Sequence, residues 1–311
     1  MGVRGTRTDL KLTEVWTLYI KSITLANYSP DTIERKKTHF RLLLKELPKN
    51  VLAKNVKQHQ IDDFILYKQQ HVKPQSLNSY LRVYRAFFNW AFRNGYIPNK
   101  LNFPMQKEQK AVPKSYTHKE MKKLLEKPDM KTCTFNEYRD WVIVNFIMAT
   151  GARRTTIVGL NIEDVRLDDG YIEFNRTKND NAQILPVSSA LSVILLEYLS
   201  YRGGEPSDPL FCLDTGDRML KGYLTKEIAK YNRRRGIERT SIHAIRHTFS
   251  RDAALDCHMD VFQLQKMLGH SDIKTTENYV RLFDRDIVNN VDNANPLNLY
   301  VKQKKKRIKM R

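Results

Sequence analysis

Long apolar runs are missing from this chain. Its most apolar stretches, Trp141 to Ala149 and Leu191 to Leu196, fall well short of the roughly 20 residues that span a bilayer, so no membrane helix is expected. Met1 to Asp9 is polar and has no apolar signal core, which argues against secretion. Cysteine is scarce: Cys133, Cys212 and Cys257 stand apart, with no metal-spaced pair and no disulfide framework. That usage suits a reducing, cytoplasmic setting. There is no glycine-rich phosphate loop, so nucleotide hydrolysis has no support. No carboxylate cluster or His/Cys set has metal-ligand spacing, which speaks against a metal-dependent nuclease. His243 and His247 stand one helical turn apart, but the intervening glutamate of the zinc-protease motif is absent. No cofactor and no metal are therefore expected.

Acid is in short supply as well. The 311 residues carry 54 Lys+Arg against 34 Asp+Glu, a formal net charge of +20. Such an excess points to a polyanion, of which nucleic acid is the commonest. The excess sits at the ends. Residues 1–112 hold 20 basic and 8 acidic side chains, residues 113–300 hold 27 and 26, and residues 301–311 hold seven basic and none acidic. A solubilising surface with a disordered basic tail is the competing reading of that distribution. Hydrophobic residues make up 41%, enough for globular cores, and the length suffices for two domains.

Helical periodicity dominates the chain. Leu12, Val15, Trp16, Leu18 and Tyr19 mark a first helix. Ser29-Pro30-Asp31 is a cap-and-proline start for a second, carrying Phe40, Leu43, Leu44 and Leu47. A third is expected over about 58–71, and a fourth from Pro74 through Tyr84, Phe87 and Trp90 to the Asn94-Gly95 stop. Basic residues Arg35, Lys36, Lys37, Arg41, Arg82 and Arg85 lie among these helices and are candidates for DNA contact. Residues 104–114 lack periodicity and are bracketed by prolines, as a linker would be. Thr117 to Glu120 then reads as a capping box. An apolar helix over about 136–149 stops at Thr150-Gly151, and another runs from near Arg153 to Leu160. The pattern then changes to a hairpin, Val165 to Leu167 and Tyr171 to Phe174, with a third strand at Gln183 to Val187. Helices are expected over about 188–201, 219–234, 243–256, 260–268 and 273–283. The fold class is therefore mainly α: a helical bundle, then an α+β domain with one small antiparallel sheet.

Within the second half, polar groups of particular kinds stand at element boundaries. Arg153 (or its neighbour Arg154) opens a helix after the Thr-Gly break, and Lys178 lies on the hairpin connection. His243 and Arg246 are three apart on one helix, His270 is on a turn, and Tyr279 follows nine positions later. Singly, each has an ordinary reading: surface decoration, a solvated lysine, a half-buried structural tyrosine. Together they compose a metal-free phosphate site. Two guanidinium groups can fork the non-bridging oxygens of a phosphodiester. Fixed positive charge is what a phosphoryl transition state gains most from. A tyrosine ester stores the bond for a later reversal. With a free pKa of about 10, the phenol needs a nearby base, for which a histidine serves. A lysine can protonate the departing 5′-oxygen.

At this point the chain resembles the tyrosine recombinases, the phage-integrase family of Xer and integrase type, over nearly its whole length. Thr150-Gly151-Ala152-Arg153, with Leu160 and Asp164-Val165 after it, is similar to the first-arginine box. Lys178 stands eight positions before Pro186, as the family's hairpin lysine does. His243-Ala-Ile-Arg246-His247-Thr248 and Leu268-Gly269-His270-Ser271 to Tyr279 resemble the two terminal boxes. Ser76 to Trp90 and Asn94-Gly-Tyr-Ile-Pro resemble the core-binding domain. The resemblance implies a SAM-like core-binding DNA clamp over 8–103, a linker over 104–114, a catalytic domain over 115–300 and a basic tail over 301–311. It implies that Arg153, Arg246 and His270 contact the scissile phosphate, that His243 supports proton transfer, that Lys178 is the general acid and that Tyr279 is the nucleophile. It further implies a homotetramer joining two double-stranded DNA sites, with neither metal nor ATP, in the cytoplasm at the nucleoid. Integration or excision of a mobile element is the first expectation. Dimer resolution of the Xer kind, relaxation of the type IB topoisomerase kind, and a non-catalytic DNA-binding role are the alternatives. One position departs from the family: where an acidic residue often follows three after the first arginine, this chain has Thr156. The segment Asp284 to Tyr300 is expected to dock on a neighbouring copy or to pack on its own domain.

Overall fold

In the computed structural model, the described residues are 9–108, 114–174, 183–257 and 259–269. Lys178, His270, Tyr279, the helix expected over 273–283 and the basic tail lie outside them. The chain divides into two compact units, residues 1–111 and 112–311, and the division falls inside the proline-bracketed stretch.

The first unit is built from α1 (Leu12–Leu25), α2 (Pro30–Leu44), α3 (Gln58–His71) and α4 (Pro74–Arg93). The Ser29 side chain accepts from the Thr32 amide at the start of α2, and Pro30 occupies the first helical position, where no amide hydrogen is needed. On α4 the buried residues Leu77, Leu81, Tyr84, Phe88 and Ala91 recur three or four apart, which turns one stripe of the helix to the core. The Trp16 indole is the centre of that core. It stacks on Phe40 at 3.9 Å and meets Phe87 edge-on at 5.0 Å. A feature that periodicity did not signal ties α1 to the segment before α3. Leu12 donates its amide to the Val51 carbonyl and Ala53 donates to Leu10, both at 2.9 Å.

The second unit holds α5 (His118–Leu125), α6 (Phe135–Thr150) and α7 (Arg154–Gly159). Strands β1 (Val165–Arg166), β2 (Tyr171–Phe174) and β3 (Gln183–Pro186) follow, and then α8 (Ser189–Arg202), α9 (Lys221–Arg234), α10 (Ile242–Leu255) and α11 (Val261–Leu268). The Thr117–Glu120 capping box is formed, with the Thr117 side chain accepting from the Glu120 amide. Helix α6 is apolar on nearly every side and is packed by α5, α8, α9 and α10, as such a helix must be. Its buried Arg139 is paired with Asp140 at 2.7 Å and also donates to Asn136 at 2.7 Å and to the Cys212 carbonyl at 2.9 Å. Burial pushes the Asp140 carboxyl up to about 6, against the opposing pull of Arg139.

Helix α7 stops one residue before the expected Leu160. Leu160 is extended (ψ 141°), and a 3₁₀ turn at Ile162–Asp164 begins with Asp164 accepting from the Asn161 amide at 2.8 Å. The sheet is antiparallel in the order β1-β2-β3, with Val165 opposite Ile172 and Ile172 opposite Leu185. Ile172, Phe174 and Leu185 point into the core, so alternation fixes which side of the sheet is buried.

Candidate active site

Helix α6 ends at Gly151, whose φ of 63° is left-handed and whose amide bonds back to the Ile147 carbonyl at 2.7 Å. A Cβ at this residue would lie 2.6 Å from the Phe249 ring and 2.9 Å from the Leu268 side chain, so space as well as backbone requires glycine. Two residues later Arg153 is the extended N-cap of α7 (φ −75°, ψ 149°). The tight connection between the two helices places Arg153 beside the C-terminal end of α11.

Arg246 reaches the same place from the middle of α10. It is buried, and its guanidinium donates to the Gly151 carbonyl at 2.5 Å and to the Leu268 carbonyl at 2.8 Å. Arg153 donates to the next carbonyl, Gly269, at 3.0 Å. Those acceptors are the terminal carbonyls of α6 and α11, which lack partners within their helices and form the negative ends of the helix dipoles. The geometry thus explains how a buried guanidinium is stabilised here. Gly269, with φ 58°, closes α11 and is followed directly by His270 in the sequence.

Sequence reasoning missed a third side chain at this terminus. Gln183, the first residue of β3, donates through Nε2 to the Met267 carbonyl at 3.1 Å and also to that of Lys266. Its position, opening the strand after the lysine-bearing connection, was the one available signal; its residue type carried none.

His243 lies one turn before Arg246 on α10 and is exposed, whereas Arg246 is buried. The strip of helix they share therefore runs from solvent into the core. Loss of water around the imidazole, then the charges of Arg154, Arg246 and Arg153, holds His243 below its ordinary pKa. A neutral imidazole can accept a proton at neutral pH. His247, half-buried, is lowered by desolvation and by His243 and Arg246.

Arg154 goes elsewhere, donating to the Thr225 hydroxyl on α9 at 2.9 Å. Thr156 is buried in the wall of a polar cavity of about 230 Å³ that it shares with Asn161, Asp164, Phe174 and Arg218. The Gly269 carbonyl is one group that holds Arg153 in this chain. Thr248 secures α10 from behind. Its hydroxyl donates to the Ala244 carbonyl and accepts from the Tyr116 amide, both at 2.8 Å.

Among the described residues, His118, Asp252 and Asp256 form the one cluster with metal-ligand proximity, His118 Nε2 lying 3.8 and 3.4 Å from the two carboxylates. Asp252 is already engaged by Arg251 at 2.6 Å, and His118 and Asp256 are exposed. The arrangement is a surface polar cluster joining α5 to α10.

In the first unit the six basic candidates have unequal surroundings. Arg35 is exposed. Lys36 donates to the Tyr19 hydroxyl at 3.1 Å. Lys37 and Arg41 flank Glu34 at 3.7 and 3.6 Å, and Arg82 is 3.5 Å from Glu108. Arg85 donates to the Phe103 carbonyl at 2.6 Å, a structural bond that its sequence position does not reveal.

The Phage integrase family profile matches residues 114–285, more than half of the chain. The chain belongs to this family, the tyrosine recombinases, enzymes that cleave and rejoin DNA strands. It is 28% identical over 230 residues to tyrosine recombinase XerC of Thermodesulfovibrio yellowstonii, covering 70% of this chain and 74% of that protein. Its fold is similar to that of a lambda integrase chain from the crystal structure of a lambda integrase tetramer bound to a Holliday junction (TM-score 0.71, 15% identity, 87% of this chain and 77% of that one). The Tn1549 transposon integrase in complex with transposon right end DNA is similar too (TM-score 0.66, 20% identity, 85% and 94%). Among the described residues no helix is long and apolar enough to cross a membrane.

Proposed function

We propose that this chain is a site-specific DNA recombinase that works through a 3′-phosphotyrosine intermediate. The observation that carries the reading is the meeting of Arg153 and Arg246 on consecutive carbonyls at the end of α11, immediately before His270. Two forked cations at one point suit the non-bridging oxygens of a phosphodiester. In this reading Tyr279 attacks phosphorus, the bond to the 5′-oxygen breaks, and Lys178 protonates that oxygen. His243 takes part in moving the phenolic proton, and His270 donates to a phosphate oxygen. The freed 5′-hydroxyl of one duplex then attacks the phosphotyrosine of its partner, so bond count and charge are conserved without ATP or metal.

The first unit serves as the core-binding DNA clamp, with Arg35, Lys36, Lys37, Arg41, Arg82 and Arg85 toward phosphates, linked to a catalytic domain over 115–300. Four copies act on two double-stranded sites through a Holliday junction, at the nucleoid. The likeness to a transposon integrase supports integration or excision of a mobile element. The XerC relative supports a second reading, resolution of chromosome or plasmid dimers.

The deciding experiment is metal-free incubation with a nicked suicide duplex carrying the attachment site. Wild type forms a covalent protein–DNA adduct and Tyr279→Phe forms none; an adduct equally abundant with Tyr279→Phe refutes the reading. Adding a second site and scoring strand exchange separates recombination from relaxation. Dimer accumulation in cells lacking the gene separates the Xer role from the mobile-element role.

A further inference from the structure

We infer that Gln183 is a positioning residue for the two arginines, acting through the C-terminal turn of α11. The inference rests on the reading of Arg153 and Arg246 as phosphate-binding groups.

The carbonyls of the four residues 266–269 end α11, and each accepts from a side chain outside the helix. Gln183 takes Lys266 and Met267, Arg246 takes Leu268, and Arg153 takes Gly269. The first two acceptors set where the next two point, because consecutive carbonyls in one helical turn move together. A primary amide suits this position because it has two hydrogens, one for each carbonyl. It is also uncharged, so it fills the negative helix end without competing with the neighbouring guanidinium groups for anions. Contact is close on the other side as well. The Gln183 Oε1 lies 2.6 Å from where a Cβ on Gly269 would stand, and an Arg153 Nη lies 3.3 Å from that point. Gln183, Gly269 and Arg153 therefore pack as one group. Because Gln183 also opens β3, it ties the sheet to the helix end on which both arginines rest.

Gln183→Met removes both donors at nearly constant length. Adduct formation on a suicide duplex is expected to slow by about 10- to 100-fold, with DNA affinity within about two-fold of wild type, since few phosphate contacts are lost. A duplex with a neutral methylphosphonate at the scissile position separates positioning from general damage. It lacks the negative charge that aimed arginines neutralise, so the wild-type-to-variant ratio should shrink to about three-fold or less. Gln183→Asn, which keeps an uncharged amide donor on a shorter side chain, should retain more of the rate than Gln183→Met. Gln183→Leu, close in size and without an amide donor or a charge, serves in place of Gln183→Met if that variant does not fold, and should show the same charge-dependent loss. Wild-type rates in the donor-lacking variant, or equal losses on the charged and neutral substrates, overturn the inference alone. An Arg153→Ala chain that cleaves at the wild-type rate overturns the parent reading and this one with it.

Discussion

Replacing Gly151 by alanine tests the packing of the site most directly. The residue has φ 63°, and its added Cβ would sit 2.6 and 2.7 Å from two atoms of the Phe249 ring and 2.9 Å from Leu268. A left-handed backbone costs a residue with a Cβ about 1–2 kcal/mol. Lower entropy of the unfolded chain returns about 0.4–1 kcal/mol. Phe249 and Leu268 are themselves buried and have little room to retreat, and forced overpacking costs about 1–3 kcal/mol. The net is on the order of 3 kcal/mol, or a fall of roughly 6–12 °C in the melting temperature of a unit this size. Gly170→Ala is the matched control, because its φ of 74° is also left-handed but its Cβ would meet nothing within 4 Å. Thermal unfolding followed by circular dichroism measures both. Adduct formation should fall further in Gly151→Ala than stability requires, because the Gly151 carbonyl is an acceptor for Arg246. If the two glycine variants melt within about 2 °C of each other, the close approach to Phe249 is not energetically real and the packing argument fails.

Arg153→Ala should cut adduct formation by about 100-fold or more with less than about 1 kcal/mol lost in stability, whereas Arg154→Ala, directed at Thr225, should leave the rate within about three-fold; equal losses would reassign the arginine. Arg246→Met should destabilise by roughly 1–3 kcal/mol for each of the two buried carbonyls left without a donor, read from urea unfolding; an unchanged midpoint refutes the account. His243 and His247 are held below their ordinary 6.5 in the fold, so around that pH the unfolded chain binds more protons, and their effect is to lower stability as pH falls below it. Asp140, raised to about 6, works in the opposite sense. A melting curve from pH 8 to 5 should therefore fall less steeply in a His243→Gln, His247→Gln chain than in wild type, and parallel curves would contradict the assignment. Arg35→Ala should weaken DNA binding across sequences and reduce the slope of log affinity against log salt by about 1, measured by titration at several salt concentrations. Arg85→Ala should in addition lose about 1 kcal/mol of stability through its bond to the Phe103 carbonyl.

Local signals in the sequence determined the elements of this protein. A serine before a proline starts α2, a threonine three before a glutamate starts α5, and Gly151 ends α6 because few other residues enter its backbone conformation. Position at element boundaries also marked Arg246 and one of Arg153 and Arg154 as candidates, and the family resemblance favoured Arg153. Such signals act within a few residues, and a periodic pattern says that a face is buried without saying against what. The tertiary structure decided the partners. It sent Arg153 to the end of α11 and the adjacent Arg154 to α9, and it committed Arg85 to a carbonyl instead of leaving it wholly to solvent. It also brought Gln183, whose type and spacing announce nothing, onto the same helix end as the arginines. The physical reason is that orphan carbonyls at a helix terminus take any donor that long-range packing delivers, and local sequence does not encode which one arrives.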